Sequence, residues 1–299
     1  MSNPLVSIII NCYNGEKYLQ DAVNSIFNQT YKNWEIVFWD NQSTDKSAEI
    51  FKTYKDSRLK YYLSNSHTKI LYEARSYALE KVNGDFIAFL DVDDWWERTK
   101  LEKQIPLFQN PKVGLVYCNL WRFFEKKNKR KIYRKKRMPV GMILNNLLKD
   151  YVIGSPTYII RKSSLKSLNY SFDKRFHIIG DFDLNTRLAS IWEVDCIQEP
   201  LATARIHGKN ESLINKDKEI DELKIWYDYL KKNPIFKIKS EFYQINSKIL
   251  YLEIFKDISE GKFKKSLKKI VKYPFSFNKL KLAIALLLPK YILNKIKNY

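Results

Sequence analysis

Three carboxylates, Asp91, Asp93 and Asp94, fall within four positions directly after the apolar run Phe86-Ile87-Ala88-Phe89-Leu90. Asp91 and Asp93, two apart, point the same way if the chain stays extended. Two hard oxygen ligands converging there suit Mg²⁺ or Mn²⁺ carrying a phosphate. A polar turn after a core strand is the alternative. The run before the acids reads as a strand buried on both faces, and open α/β sheets bind ligands at the carboxyl ends of such strands. A further carboxylate, Asp181, stands in His177-Ile178-Ile179-Gly180-Asp181-Phe182-Asp183-Leu184. The spacing of Asp181, Leu184 and Leu188 predicts a helix beginning near the Asp. The helix dipole favours an acid at that end, which alone would account for it.

The elements that must hold these acids alternate strand and helix through the first 94 residues. Leu5–Ile10 predicts a strand, Asn11–Gly15 a polar turn and Glu16–Asn28 a helix with Leu19, Ala22, Val23, Ile26 and Phe27 on one face. Strands follow at Trp34–Trp39 and Leu59–Leu63, and helices at Ala48–Tyr54 and Ile70–Val82. Such alternation means βαβ units, an α/β fold with a mostly parallel sheet. The polar clusters Tyr13-Asn14, Asp40 and Asp91-Val92-Asp93 then share one edge and can form one pocket. Farther on, Lys100–Phe108 and Met142–Leu148 read as helices, Val113–Phe124 and Thr157–Ile160 as strands. Val194–Ile197 and Leu201–Arg205 read as two closing strands.

The formal net charge is +20 over 299 residues. That balance implies an anionic partner: nucleic acid, lipid or a phosphorylated substrate. Cys12, Cys118 and Cys196 make neither a disulfide framework nor a metal spacing, which fits a reducing compartment. Met1–Pro4 lacks a charged leader, so no signal peptide is expected, and no apolar run approaches the roughly 18 residues of a membrane span. Ten of the sixteen residues from Arg122 to Arg137 are Lys or Arg. They form either a solvated hairpin or a surface for anionic lipid or a phosphorylated acceptor. Beyond Glu211 long helical patterns take over, at Ile220–Leu230, Phe242–Ile258, Phe263–Val271 and Leu280–Ile296. From Gly261 to Tyr299 there are eleven Lys and no acid, beside abundant apolar side chains. This pattern predicts interfacial helices on an anionic membrane; helices packed with Lys facing water are the alternative. The expected division is 1–210 and 211–299.

These motifs, in order, resemble the family 2 glycosyltransferases with a GT-A fold, especially bacterial enzymes of surface polysaccharides. Val6–Asn14 is similar to the family's opening strand, Asp40-Asn41-Gln42-Ser43-Thr44-Asp45 to its nucleotide turn and Gly84–Asp94 to its metal-binding strand. Gly180-Asp181-Phe182-Asp183-Leu184, with Arg187-Leu188-Ala189, resembles its catalytic segment. The likeness spans residues 5–210. Gly180 stands where the family often has the first of two acids, and Asn41 and Gln42 where Asp and Gly are frequent. The processive Gln-x-x-Arg-Trp signature is absent.

The resemblance implies single-sugar transfer, with inversion, from a nucleotide-diphosphate donor to a hydroxyl of a glycan or lipid-linked acceptor. Asp40 would accept the N3–H of uracil or thymine, which cytosine lacks. Tyr13, Asn14 and Glu16 would line the base pocket, with Arg75 near the nucleotide. Asp91 would touch the ribose and Asp93 the metal, Mn²⁺ or Mg²⁺, with Asp91 and His207 as further metal candidates. A capping or core role is the alternative for His207. Asp181 would be the general base, ionised but weakly basic at an ordinary pKa of about 3.9. The implied location is cytoplasmic, peripheral on the inner membrane. A polyprenyl-phosphate acceptor and a non-catalytic sugar-nucleotide binder are rivals. Nucleic-acid binding is not expected, because no recognition motif accompanies the charge.

Overall fold

The computed structural model describes residues 3–289 and 292–293. The chain divides into two compact units, Met1–Asn210 and Glu211–Tyr299. The first begins β1 (Val6–Cys12), α1 (Leu19–Phe27), β2 (Trp34–Asp40), α2 (Ser47–Thr53), β3 (Leu59–Leu63), α3 (Leu71–Leu79) and β4 (Phe86–Phe89). It continues through β5 (Trp95–Trp96), α4 (Lys100–Gln104), β6 (Val113–Phe124), β7 (Lys129–Ile132), α5 (Leu144–Lys149), β8 (Ile159–Arg161), α6 (Lys162–Lys166), α7 (Gly180–Ala189) and β9 (Glu193–Ile206).

One sheet carries these strands in the order β3-β2-β1-β4-β8-β6-β9-β5, with β7 paired to β6. The strands β3, β2, β1 and β4 run parallel, so their carboxyl ends share an edge. The second half is mixed: β8 is antiparallel to β4 and to β6, while β9 runs parallel to β6. Alternation along the strands splits the core between two faces. Ile8, Ile36, Phe38 and Ala88 pack with α1, whose buried Leu19, Ala22, Val23 and Ile26 repeat at helical spacing. Ile9, Val37, Ile87 and Phe89 pack on the other face with Ala74, Ala78, Leu184 and Leu188.

Two elements depart from expectation. The stretch expected as two strands is the single β9, because Pro200 sits at a bulge, where a residue without an N–H is tolerated. The helix expected over Lys100–Phe108 is α-helical only to Gln104. It tightens into a 3₁₀ turn at Ile105–Gln109, with Pro106 in its first turn. The basic run takes the hairpin form, Phe124 pairing with Lys129 around Asn128 in the left-handed region.

A buried polar lock ties β1, β2 and the turn before β4. Glu35 is 6% exposed and accepts hydrogen bonds from Ser7 Oγ (2.6 Å), Asn83 N (2.8 Å) and Asn83 Nδ2 (3.1 Å). Burial pushes its carboxyl up, but those donors outweigh burial and hold it below the ordinary value. Gly84 completes the lock: a Cβ there would lie 2.5 Å from Leu5 O and 2.7 Å from Ser7 N, both fixed backbone.

The second unit comprises α8 (Glu211–Ile214), α9 (Lys216–Leu230), α10 (Pro234–Lys237), α11 (Ser240–Ser259), α12 (Phe263–Lys272) and α13 (Phe277–Ala285). Fully buried Trp226 packs against Phe236 and Phe242, and Ile254, Ile258, Ile270, Tyr273 and Leu282 form a further core. The helix expected over Leu280–Ile296 starts earlier and ends at Ala285; most residues beyond Pro289 lie outside those described. The acid-free segment is not uncompensated either. Lys265 and Lys269 pair with Asp257 at 3.2 and 2.9 Å, and Lys262 pairs with Glu260 at 2.5 Å. No helix among the described residues is long and apolar enough to cross a membrane.

Replacing Gly84 by Ala forces backbone apart and should cost about 1–3 kcal/mol. Gly208→Ala, where nothing lies within 4 Å, should be near neutral. Denaturant titration of both variants checks this; equal midpoints would remove the packing account of Gly84.

Candidate active site

The loops after β1 and β2 are laced together. Asn14 Oδ1 accepts from Thr44 N (2.8 Å), Glu16 Oε2 from Lys46 N (2.9 Å), and Asp45 Oδ2 from Glu16 N (2.9 Å). Asn14 and Gln42 sit at φ of 55° and 67°, a region that asparagine tolerates better than most side chains. Tyr13 is 50% exposed and lies against His67, ring centroids 4.2 Å apart. His67 in turn stands 3.0 Å from Asn41 O. Asp40 is 1% exposed. Its Oδ1 accepts from Ser43 N at 2.8 Å and its Oδ2 from Tyr61 Oη at 2.7 Å. Asn14, Glu16 and Asp40 therefore spend oxygens on shaping the loops, and Tyr13 with His67 offers the open aromatic surface.

The turn after β4 places three acids in three settings. Asp91 pairs with the Arg75 guanidinium, which is 1% exposed and also donates to Ser155 Oγ at 3.1 Å. Arg75 Nη1 is buried without a hydrogen-bond partner. Asp93 Oδ2 receives His207 Nε2 at 2.8 Å and Asn210 Nδ2 at 3.1 Å. Asp94 is buried and accepts from Arg205 N at 2.9 Å; burial, then the neighbouring Asp93 and Asp91 charges, pushes its carboxyl well up. Arg205 also donates to Asp93 O (2.9 Å) and Asp21 Oδ2 (2.7 Å), and its guanidinium lies 4.5 Å from the Tyr18 ring centroid.

Lys209 N donates to His207 Nδ1 at 3.1 Å, which puts the imidazole proton of the neutral ring on Nε2, facing Asp93. Arranged so, His207 is a hydrogen-bond donor to Asp93. Among the described residues no cluster of three or more His, Cys, Asp or Glu is gathered for a metal. The carboxylates of Asp91 and Asp93 nonetheless fit a hard divalent ion of the kind that takes one or two carboxylates and completes its shell with substrate phosphate and water.

Asp181 is the first-turn acid of α7. It is surrounded by protein yet keeps some exposed surface, and Phe182 N donates to its Oδ1 at 2.7 Å. Burial pushes its pKa up to about 6, opposed by the Arg75 charge and by hydrogen bonds from Phe182 N and Tyr72, and helped by Asp91. The hydroxyl-bearing rings of Tyr72, Tyr151 and Tyr158 are coupled to it as well. Thus the Arg75 charge meets Asp91 by direct pairing and also acts on Asp181. Asp183, two residues on, is 1% exposed and forked onto Arg187, with Nη2 at 2.6 Å and Nε at 3.0 Å from Oδ2, and serves packing. Asp181 is accordingly more basic than an ordinary aspartate. In the sequence His67 reads as a structural or surface group, and the three tyrosines carry no motif that marks them.

The four parallel strands, the mixed second half and the acids at the strand ends define a GT-A glycosyltransferase fold. Solved structures agree with that fold. Staphylococcus aureus TarS 1-349 in complex with UDP-GlcNAc matches with a TM-score of 0.66 at 18% identity, over 80% of this chain and 72% of that one. The mannosyltransferase PcManGT from Pyrobaculum calidifontis, in complex with GDP-Man and Mn²⁺, matches at 0.65 and 16% identity over 100% and 88%. The description "Glycosyl transferase family 2" matches residues 7–169, and the chain belongs to that family. It is 36% identical over 172 residues, 58% of this chain and 66% of the other, to the Escherichia coli UDP-Glc:alpha-D-GlcNAc-diphosphoundecaprenol beta-1,3-glucosyltransferase WfgD. It is 41% identical over 106 residues, 34% of this chain and 41% of the other, to TuaG of Bacillus subtilis, a putative teichuronic acid biosynthesis glycosyltransferase.

A carboxyl raised from about 3.9 to about 6 binds more protons folded than unfolded between those values, so stability falls as pH rises from about 4 to about 6 and the full cost persists above it. Asp181→Asn should therefore stabilise the chain by about 3 kcal/mol at pH 8 and by well under about 1 kcal/mol at pH 4. Thermal unfolding at both values measures it; the same shift at each would show that Asp181 is not held away from its ordinary titration.

Proposed function

We propose that this chain moves one sugar from a UDP-sugar to a hydroxyl of a glycan or lipid-linked acceptor, with inversion, in bacterial surface polysaccharide synthesis. The observation that carries the reading is Arg75, whose buried guanidinium pairs with Asp91 of the β4 turn and whose charge also acts on Asp181. Donor diphosphate and acceptor hydroxyl then meet across one guanidinium.

In this reading Tyr13 and His67 stack on the base, and Asn14 and Glu16 hold the loops that frame it. Base N3–H reaches Asp40 through the lone pairs left by Ser43 and Tyr61. Asp91 and Arg75 orient the ribose and diphosphate. Asp93 and Asp91 would hold Mn²⁺ or Mg²⁺, which offsets the charge gathering on the departing diphosphate. The acceptor oxygen attacks C1 from the face opposite the diphosphate. The C1–O bond forms as the C1–O bond to phosphate breaks, the nucleoside diphosphate leaves with the electron pair, and the hydroxyl proton passes to Asp181. At a pKa of about 6, Asp181 is ionised at neutral pH and better matched to that transfer than an ordinary carboxylate. One displacement inverts the anomeric centre without a covalent enzyme intermediate. A UDP donor and a lipid-linked acceptor are favoured by the names of WfgD and the TarS complex; the GDP-Man and Mn²⁺ in PcManGT favour a metal more than a base.

The second unit would sit on the cytoplasmic face of an anionic membrane. Leu267, Val271, Phe275 and Phe277 are 55%, 69%, 100% and 72% exposed. Exposed Lys264, Lys268, Lys272 and Lys281 alternate with them, and the acids of α11 pair with other lysines. Apolar side chains rimmed by cations match the boundary of an anionic leaflet.

Two experiments test the reading. In a screen of sugar nucleotides with Mn²⁺, wild-type protein should release UDP from a UDP-sugar when acceptor is present. Asp181→Asn should lose at least 10³-fold in turnover, within the range of general-base loss, while still gaining thermal stability from the nucleotide. Normal turnover in that variant, or undiminished activity in excess chelator, would remove the base or the metal respectively. The wild type should also sediment with vesicles containing anionic phosphatidylglycerol, and the combined Lys264→Glu, Lys268→Glu, Lys272→Glu variant should stay in the supernatant. Equal sedimentation would end the membrane assignment.

A further inference from the structure

Gly180 has a neighbour that gives its lack of a side chain a purpose. A Cβ at 180 would lie 2.2 Å from Tyr72 Cγ, 2.3 Å from Cδ2 and 2.7 Å from Cδ1. These atoms form the root and flank of the ring. Their position is set by the first side-chain torsions of Tyr72, so they cannot swing aside as the tip of a long side chain can. The ring is also boxed in: Tyr72 is 4% exposed, the Phe172 ring lies at 5.1 Å and the Arg75 guanidinium carbon at 5.0 Å from its centroid. A tyrosine at 72 and any side chain at 180 exclude one another here.

The same ring thus packs against the residue immediately before Asp181, and the Tyr72 hydroxyl is among the groups that draw the Asp181 carboxyl down. Tyr72 and Arg75, three apart on α3, share a helix face, and both act on the Asp181 carboxyl. Phe182 N holds Asp181 Oδ1 from within α7. The remaining titratable neighbours are Asp91 after β4, Tyr158 just before β8, and Tyr151 after α5.

We infer that Tyr72 is a positioning residue for this chain's base. Its ring takes the room that Gly180 leaves empty, and its hydroxyl clamps the Asp181 carboxylate toward the cleft. The inference rests on the reading of Asp181 as the general base. It assigns a role to Gly180 that a missing acid does not: the glycine is the space in which the clamp is seated. The hydroxyl donates to the ionised carboxylate, so the clamp both fixes the rotamer of Asp181 and favours the form that accepts a proton.

The test uses the full chain and needs no sugar donor. Aspartate carboxyl carbons are titrated by NMR, with the Asp181 signal assigned by its absence in Asp181→Asn. Tyr72→Phe keeps the ring and removes the hydroxyl, and should raise the Asp181 midpoint by roughly half to one pH unit. An unmoved midpoint overturns the clamp. The packing half is read from a thermal cycle. Gly180→Ala should lower the unfolding temperature in the wild type and have a much smaller effect in a Tyr72→Ala background. An equal drop in both backgrounds overturns it, even if Tyr72→Phe proves too unstable to titrate. Transfer that survives Asp181→Asn would remove the base assignment without moving either readout, so the two failures are distinguishable.

Discussion

A guanidinium buried to 1% exposure is the constraint on which the rest of the catalytic unit depends. Arg75 cannot be neutralised in the folded chain, so its charge must be met by anions brought to it. Asp91 meets it directly, and Asp181 shares its field from α7. The anions come from a strand end and a helix start more than eighty residues apart, and α3 must carry the arginine between them. The parallel arrangement of β1, β2 and β4 makes this possible, because it delivers strand ends and the loops beyond them to one edge.

The site accumulates negative charge and controls each acid differently. Asp91 is balanced by a fixed cation, Asp93 accepts hydrogen bonds from the His207–Asn210 turn, and Asp94 is buried where its ionisation is opposed. Asp181 lies between these regimes, lifted by desolvation and pulled down by Arg75. Burial lifts the carboxyls of both Asp94 and Asp181, and of these two only Asp181 keeps exposed surface. Arg205 binds the arrangement mechanically by joining the Asp93 carbonyl, the Asp94 carboxylate and Asp21 of α1.

Much of the fold was legible in the residues because the first half obeys local rules. Each buried strand there is a short apolar run, and each run ends in polar residues that cannot continue it. Strand β9 was not legible, since Gln198-Glu199-Pro200 reads as a turn and is instead a bulge supported by β6. The Asp91 and Asp93 pair announced itself by spacing. Asp181 needed the family pattern, and its raised basicity depends on burial that no local window reports. Tyr72 was hidden among Leu71, Ala74 and Ala78, which mark a helix face packed on the core, and its contact with Gly180 spans over a hundred residues. The lysines of α12 looked unopposed because the acids that answer two of them, on α11, lie outside the acid-free segment.

The continuity of β9 bears on how this fold can change length. Side chains alternate with a period of two, so losing one residue from a regular part of the strand would turn Arg205 and His207 to the opposite face in a single step. The irregular stretch opposite Cys118–Leu120 already holds surplus residues, with Ile197 facing Cys118 and Pro200 facing Asn119. Insertions or deletions can be absorbed there without inverting the remainder of the strand. Indels in related chains should therefore collect at this bulge and spare the run from Ala202 to Ile206.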